Sequence, residues 1–142
     1  DIVWVIHMCR LRYCIVLVLM IAGVLSGCIV QQGRDKIEDL EFTVMDPADL
    51  PEELQQQIAA RQEEDFSLTY SDEEYLYIAR GYGEQETGGY CISVDQCYRT
   101  SNTICVKTTL TGPEAGENVN TAPSCPYIVI KLELRQEEVV FQ

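Results

Sequence analysis

Apolar residues crowd the first part of the chain and then settle into short periodic runs. Ile15 to Val24 is the densest apolar stretch, with Arg10 and Arg12 before it and Leu25-Ser26-Gly27-Cys28 behind. From Gln31 the chain turns polar, and Glu41-Phe42-Thr43-Val44-Met45 then alternates as a first strand would. Asp49-Leu50-Pro51-Glu52 reads as a helix entry. Asp49 can accept from an orphan amide, Pro51 sits where its missing donor is harmless, and Glu52 completes a box-like pattern. Leu50, Leu54 and Ile58 recur every fourth residue, which predicts one amphipathic helix of about three to four turns lying on a sheet.

From Phe66 the period drops to two. Phe66–Tyr70 and Tyr75–Ala79 read as strands joined by a turn at Ser71-Asp72-Glu73, and a glycine-rich connection runs from Gly81 to Tyr90. Ile92 and Val94 alternate with Cys91, Ser93, Asp95 and Cys97. Thr100-Ser101-Asn102 turns the chain, and Ile104 and Val106 alternate with Cys105, Lys107 and Thr109. This is the clearest hairpin in the sequence. A loop through Pro123 and Pro126 leads to the apolar run Tyr127–Leu132, expected to be a central strand. The expected fold class is α+β, a mainly antiparallel sheet with one packed amphipathic helix, preceded by a lipoprotein signal peptide. A chain of 142 residues has room for one ordinary domain, and no internal repeat divides it.

The arginines, the short apolar run and the small residues after it have the order of a secretory leader. The tetrad Leu25-Ser26-Gly27-Cys28 resembles the bacterial lipobox. That resemblance implies a diacylglyceryl group on the Cys28 thiol and cleavage just before Cys28, with Leu25, Ser26 and Gly27 as the processing residues. Residues 1–27 are then a signal peptide, with Met8 a compact alternative start. Residues 28–40 form a lipidated N-terminus and polar tether reaching roughly 40 Å if extended, and residues 41–142 form the exported domain. Its expected place is the extracytoplasmic face of a cell membrane, held by covalent lipid.

Charge narrows the partners. From Cys28 onward the chain has 8 basic and 22 acidic residues, a net −14. Such a domain opposes nucleic acid, whose phosphates need clustered Lys and Arg. The only histidine, His7, lies in the leader, so the exported part has no imidazole to activate Ser or Cys or to shuttle protons near neutral pH. No catalytic residue is assigned, and a non-enzymatic role is expected. The alternative is a carboxylate-dependent enzyme acting on a cell-wall or surface polymer, for which Glu84 and Glu86 are the pair available.

Four cysteines remain after Cys28: Cys91, Cys97, Cys105 and Cys125. A three-residue turn at 100–102 pairs Arg99 with Thr103 and sets Cys97 opposite Cys105, so a Cys97–Cys105 disulfide is the first expectation and four reduced thiols the second. The spacings contain no Cys-x-x-Cys pair, and neither a metal nor another cofactor is expected. Asp72-Glu73-Glu74 lacks the spacing and glycine of a calcium loop.

The most unusual local sequence is Gly81-Tyr82-Gly83-Glu84-Gln85-Glu86-Thr87-Gly88-Gly89-Tyr90. It has no basic residue and precedes no helix, which excludes a phosphate cradle. Tyr77-Ile78-Ala79 with Gly81-Tyr82-Gly83, then Thr87-Gly88-Gly89-Tyr90 running into Ile92 and Val94, then Ala122-Pro123-Ser124 with Pro126-Tyr127-Ile128-Val129, together resemble the PrcB-like family of protease complex subunits. The resemblance covers roughly residues 40–133. It implies a non-catalytic surface domain that binds or stabilises an exported protease or another surface protein. The candidate binding residues are Tyr82, Gln85, Thr87, Gly88, Gly89, Tyr90, Pro123, Pro126 and Tyr127, since aromatics on rigid turns make good interface anchors.

Overall fold

The computed structural model describes Ile2, Val3 and residues 35–142. Apart from Ile2 and Val3, the expected leader lies outside the described residues, as do its expected processing residues Leu25, Ser26 and Gly27 and the expected lipid site Cys28. The chain divides into two compact units, Asp1–Gln31 and Gln32–Gln142, and the sheets belong to the second.

Among the described residues of that second unit, eight strands and one α-helix make two sheets and a helical cover. The strands are β1 (Glu38–Asp39), β2 (Thr43–Val44), β3 (Asp65–Ser71), β4 (Tyr75–Tyr82), β5 (Cys91–Arg99), β6 (Thr103–Thr111), β7 (Tyr127–Glu133) and β8 (Glu138–Phe141). One sheet has the order β1-β5-β6-β8 and the other β2-β7-β4-β3. Every pairing is antiparallel except β6 with β8. The fold is α+β, as expected, but with two sheets where the alternation implied one.

The second sheet is apolar on both faces, because β4 alternates two apolar sets. Leu76 and Ile78 join Ile130 and Leu132 of β7 and meet Cys97, Ile104 and Val106 of the first sheet. Tyr77 and Ala79 point the other way, with Val129, Phe66 and Leu68, onto Leu50, Leu54 and Ile58. Period-two alternation explains how one strand serves two cores.

The helix, α1 (Glu52–Ala59), buries Leu54 and Ile58 as the fourfold spacing requires. It is shorter than expected, and its entry differs. Asp46, not Asp49, is the capping side chain, accepting from the Ala48 amide over a 3-10 turn at Pro47–Asp49. Pro51 itself stands at the N-cap of α1 with no side-chain cap bond. The chain then turns through Arg61, with the Glu64 amide donating to the Arg61 carbonyl, to enter β3.

Two more boundaries move. Ile37 and Leu40 donate to the carbonyls of Arg99 and Cys97, so the end of the expected tether is a sheet edge. Gly81 and Tyr82 belong to β4, not to the connection after it. Gly81 is required there: a Cβ would stand 2.1 Å from the Phe66 ring.

The hairpin of β5 and β6 forms in a mixed register. Cys91–Val94 pairs as the sequence implied, with Ser93 opposite Thr109, but a bulge between Val94 and Gln96 displaces the rest by one. The turn is correspondingly tighter, closed by Thr100 N–H to the Thr103 carbonyl at 2.8 Å. Cys97 therefore faces Val106, and Cys105 faces Tyr98. Neighbours along a strand point to opposite faces, so the two thiols lie on opposite faces of the sheet. The register on which a Cys97–Cys105 disulfide rested is not formed, and Cys91, Cys97, Cys105 and Cys125 are free thiols.

Candidate functional site

The glycine-rich connection, residues 83–90, leaves the end of β4 through Gly83, whose φ of +74° suits glycine. It does not stand alone. The long loop between β6 and β7, residues 112–126, lies along it and is bonded to it repeatedly. The Gln85 amide donates to the Ser124 carbonyl at 2.7 Å and the Ser124 amide returns the bond at 3.1 Å. Ser124 Oγ donates to the Thr87 carbonyl at 2.6 Å. The Gly88 amide donates to the Asn120 carbonyl at 2.8 Å.

These contacts give the Thr87-Gly88-Gly89-Tyr90 piece its reason. Gly89, at φ +83°, lets Val119 approach so closely that a Cβ would stand 2.4 Å from Val119 Cγ1. The Tyr90 ring lies over Gly112, where a Cβ would come within 3.1 Å of it. Gln85 further donates its side-chain amide to the Tyr82 carbonyl at 3.0 Å. Two irregular loops thus satisfy each other's backbone groups, which makes a shaped rather than a floppy surface.

The structure brings most of the expected residues together but divides their roles. Tyr82 is a strut between the sheets, its hydroxyl 2.5 Å from Thr108 Oγ1 and its ring 4.2 Å under the Arg80 guanidinium. Tyr127 packs with Phe66 on the helical side, ring centroids 6.5 Å apart, and its burial raises the phenol pKa. The Pro126 carbonyl accepts from the Tyr82 amide at 3.2 Å. Gln85, Thr87, Gly88 and Tyr90 are half-buried where the loops meet, and Gly89 and Pro123 are exposed. The outward rim also includes Glu84, Glu86, Thr121 and Ala122. Sequence reasoning missed the last two as surface residues because only the pairing of the loops sets them beside Glu84 and Glu86.

Chemistry at this surface is sparse. Glu84 and Glu86 are both exposed and take part in no side-chain hydrogen bond among the described residues. Among the described residues, no three of His, Cys, Asp and Glu stand together as a metal site would need. The Cys125 thiol, half-buried beside the rim, is held protonated to higher pH, first by desolvation and then by Glu84 and Glu63. Two open clefts lie elsewhere, around Leu40–Thr43.

Residues 76–133 match the family model described as PrcB C-terminal. Over this span the chain is PrcB-like. The match starts in β4 and ends with β7, so the PrcB-like span holds β4 to β7 and both paired loops. The part of the sequence resemblance from residue 40 to 75 falls outside it. No curated protein and no solved structure matches the chain.

Proposed function

We propose that the chain is a membrane-anchored lipoprotein whose PrcB-like domain is a non-catalytic accessory module of an exported protease complex. The match over residues 76–133 carries this reading. The paired loops support it, because a surface preorganised by its own hydrogen bonds loses little conformational entropy when a partner docks. The binding surface is the outward rim of those loops, with Glu86, Gly89, Thr121 and Pro123 on its exposed side. Tyr82 and Tyr127 support it from beneath.

Anchoring rests on the ordered leader pattern and on Cys28 as the lipidated residue. Two acyl chains suffice for stable attachment where one is marginal. The test is acyl mass and membrane partition of the wild type against Cys28→Ala. Lipid on the wild type and release of the variant are expected; an unlipidated wild type with an unchanged membrane fraction refutes the anchor. The accessory role is tested by affinity capture of exported proteins with the tagged chain and with Glu86→Lys/Pro123→Asp. Capture of a protease complex by the wild type, lost in the double variant, is the expected outcome. Identical capture by both defeats the loop surface.

A further inference from the structure

We propose that a groove beside β2, at the other end of β4 from the paired loops, binds an extended cationic segment of a partner protein by strand addition. The proposal rests on reading the domain as a protein-binding module and adds to it a second site and a ligand chemistry. Tyr75 and Tyr82 end β4, so the two surfaces are about 23 Å apart at ~3.3 Å per residue.

The groove exists because one short segment joins two sheets. β1 ends the first sheet and β2 ends the second, so Leu40-Glu41-Phe42 crosses between them at their shared edge. A cleft of about 520 Å³ opens beside this crossing, floored by Leu40, Phe42, Tyr75 and Leu132 and rimmed by Glu41 and Glu133. A second cleft of about 390 Å³ continues it past Glu38 and Arg135. Phe42 and Val44 remain 36% and 55% exposed, although both are large apolar residues.

The backbone offers an edge. Val44 pairs with Ile130, and the next residue, Met45, donates its amide to the Val129 carbonyl at 2.9 Å. Antiparallel bonding alternates along a strand, so Val44 turns its N–H and C=O away from β7, toward the side that carries no strand among the described residues. Such an edge is a template for another strand.

Charge selects the occupant. Glu38 is already held by Arg99 at 2.6 Å and Arg135 at 3.3 Å, and Asp39 by Lys36 at 2.7 Å. Lys131, the one cation lining the larger cleft among the described residues, lies 4.4 Å from the Tyr75 ring centroid. Glu41 and Glu133 have no ion pair among the described residues. These two carboxylates, against one lysine engaged on the Tyr75 ring, leave the larger cleft net acidic over an apolar floor. Such a cleft fits a strand with Lys or Arg on either side of an apolar residue and repels an acidic one.

The test uses the full chain in detergent and a fluorescent peptide alternating Lys with Val and Thr, beside a counterpart with Glu in place of Lys, read by anisotropy. The Lys peptide is expected to bind saturably and to weaken as salt rises. The Glu peptide should not bind. Glu41→Lys/Glu133→Lys should weaken binding by roughly tenfold or more, and Val44→Pro, which removes the outward amide without breaking the ladder, should do likewise. Glu63→Lys/Glu64→Lys makes the same charge change at exposed positions next to Asp65, the partner of Tyr82 at the far end of β4. Equal loss in that control means diffuse attraction to an acidic protein and overturns the proposal, as does undiminished binding by Val44→Pro. Absence of peptide binding, with partner capture still lost in Glu86→Lys/Pro123→Asp, removes the groove and leaves the accessory-module reading intact.

Discussion

Cys97 shows how one buried side chain writes itself into the stability of the whole domain. Desolvation, then Asp39 and Cys105, push its thiol from 9.0 to about 11. The thiolate is the charged form, so above pH 9 the unfolded chain releases a proton that the folded chain retains. The stability contributed is complete below the unfolded pKa and is lost as pH rises from 9.0 to about 11. Its size is on the order of 2 kcal/mol. Urea unfolding should show the gap between wild type and Cys97→Ala shrinking across that window, and a constant gap would reject the assignment. Gly81 acts sterically, and on the same core scale. Gly81→Ala should cost about 1 to 3 kcal/mol by forcing the Phe66 ring aside, measured as a lower urea midpoint.

At the scale of elements, the hairpin of β5 and β6 separates what the sequence could show from what it could not. Strict alternation placed both strands and, from Cys91 to Val94, their register. It could not show the bulge at Asp95, because an extra residue leaves the list of apolar and polar letters unchanged. Asp95 accepts from Ser93 at 3.0 Å and from Thr109, and these bonds lower its pKa. The bulge swings Cys97 inward and with it the expected disulfide falls. The helix was legible from Leu50, Leu54 and Ile58, while its capping residue was not, since Asp46 and Asp49 are equally good acceptors in the sequence. The paired loops were half legible. The glycines marked the first loop, but nothing local says that residues 112–126 lie against it.

The hairpin turn yields its own prediction. Thr100, 1% exposed, accepts from the Thr103 amide at 3.1 Å and shares a hydrogen bond with Thr103 Oγ1 at 2.6 Å. Thr100→Val keeps the shape and strands those groups in a buried corner, at a cost of about 1 to 3 kcal/mol. Thr100→Ser should lose much less. An unchanged urea midpoint in Thr100→Val beside a loss in Thr100→Ser would show that the methyl group and not the hydroxyl holds the turn.

On the scale of the molecule, the PrcB-like span and the folding unit are different things. Residues 76–133 supply the middle of both sheets, β4 and β7 in one and β5 and β6 in the other. The core between the sheets is built within that span, from Leu76 to Leu132. The core on the other face is not. Leu50, Leu54, Ile58, Phe66 and Leu68 all come from outside it, and only Tyr77, Ala79 and Val129 from inside. Cut to residues 76–133, the chain would expose that face of β4 and β7 to water and leave β4 an unpaired edge where β3 had been. A domain of fewer than ~60 residues has little stability to give up. The isolated span should therefore be unfolded or aggregated, with poor amide dispersion by NMR, whereas residues 35–142 should give a dispersed spectrum and cooperative unfolding. A well-folded 76–133 fragment would mean that α1 and β3 are attachments to a self-sufficient PrcB-like core. Their contacts instead tie them to the paired loops, because Phe66 and the helix cover the face of β4 opposite the first sheet and β4 leads directly into Gly83.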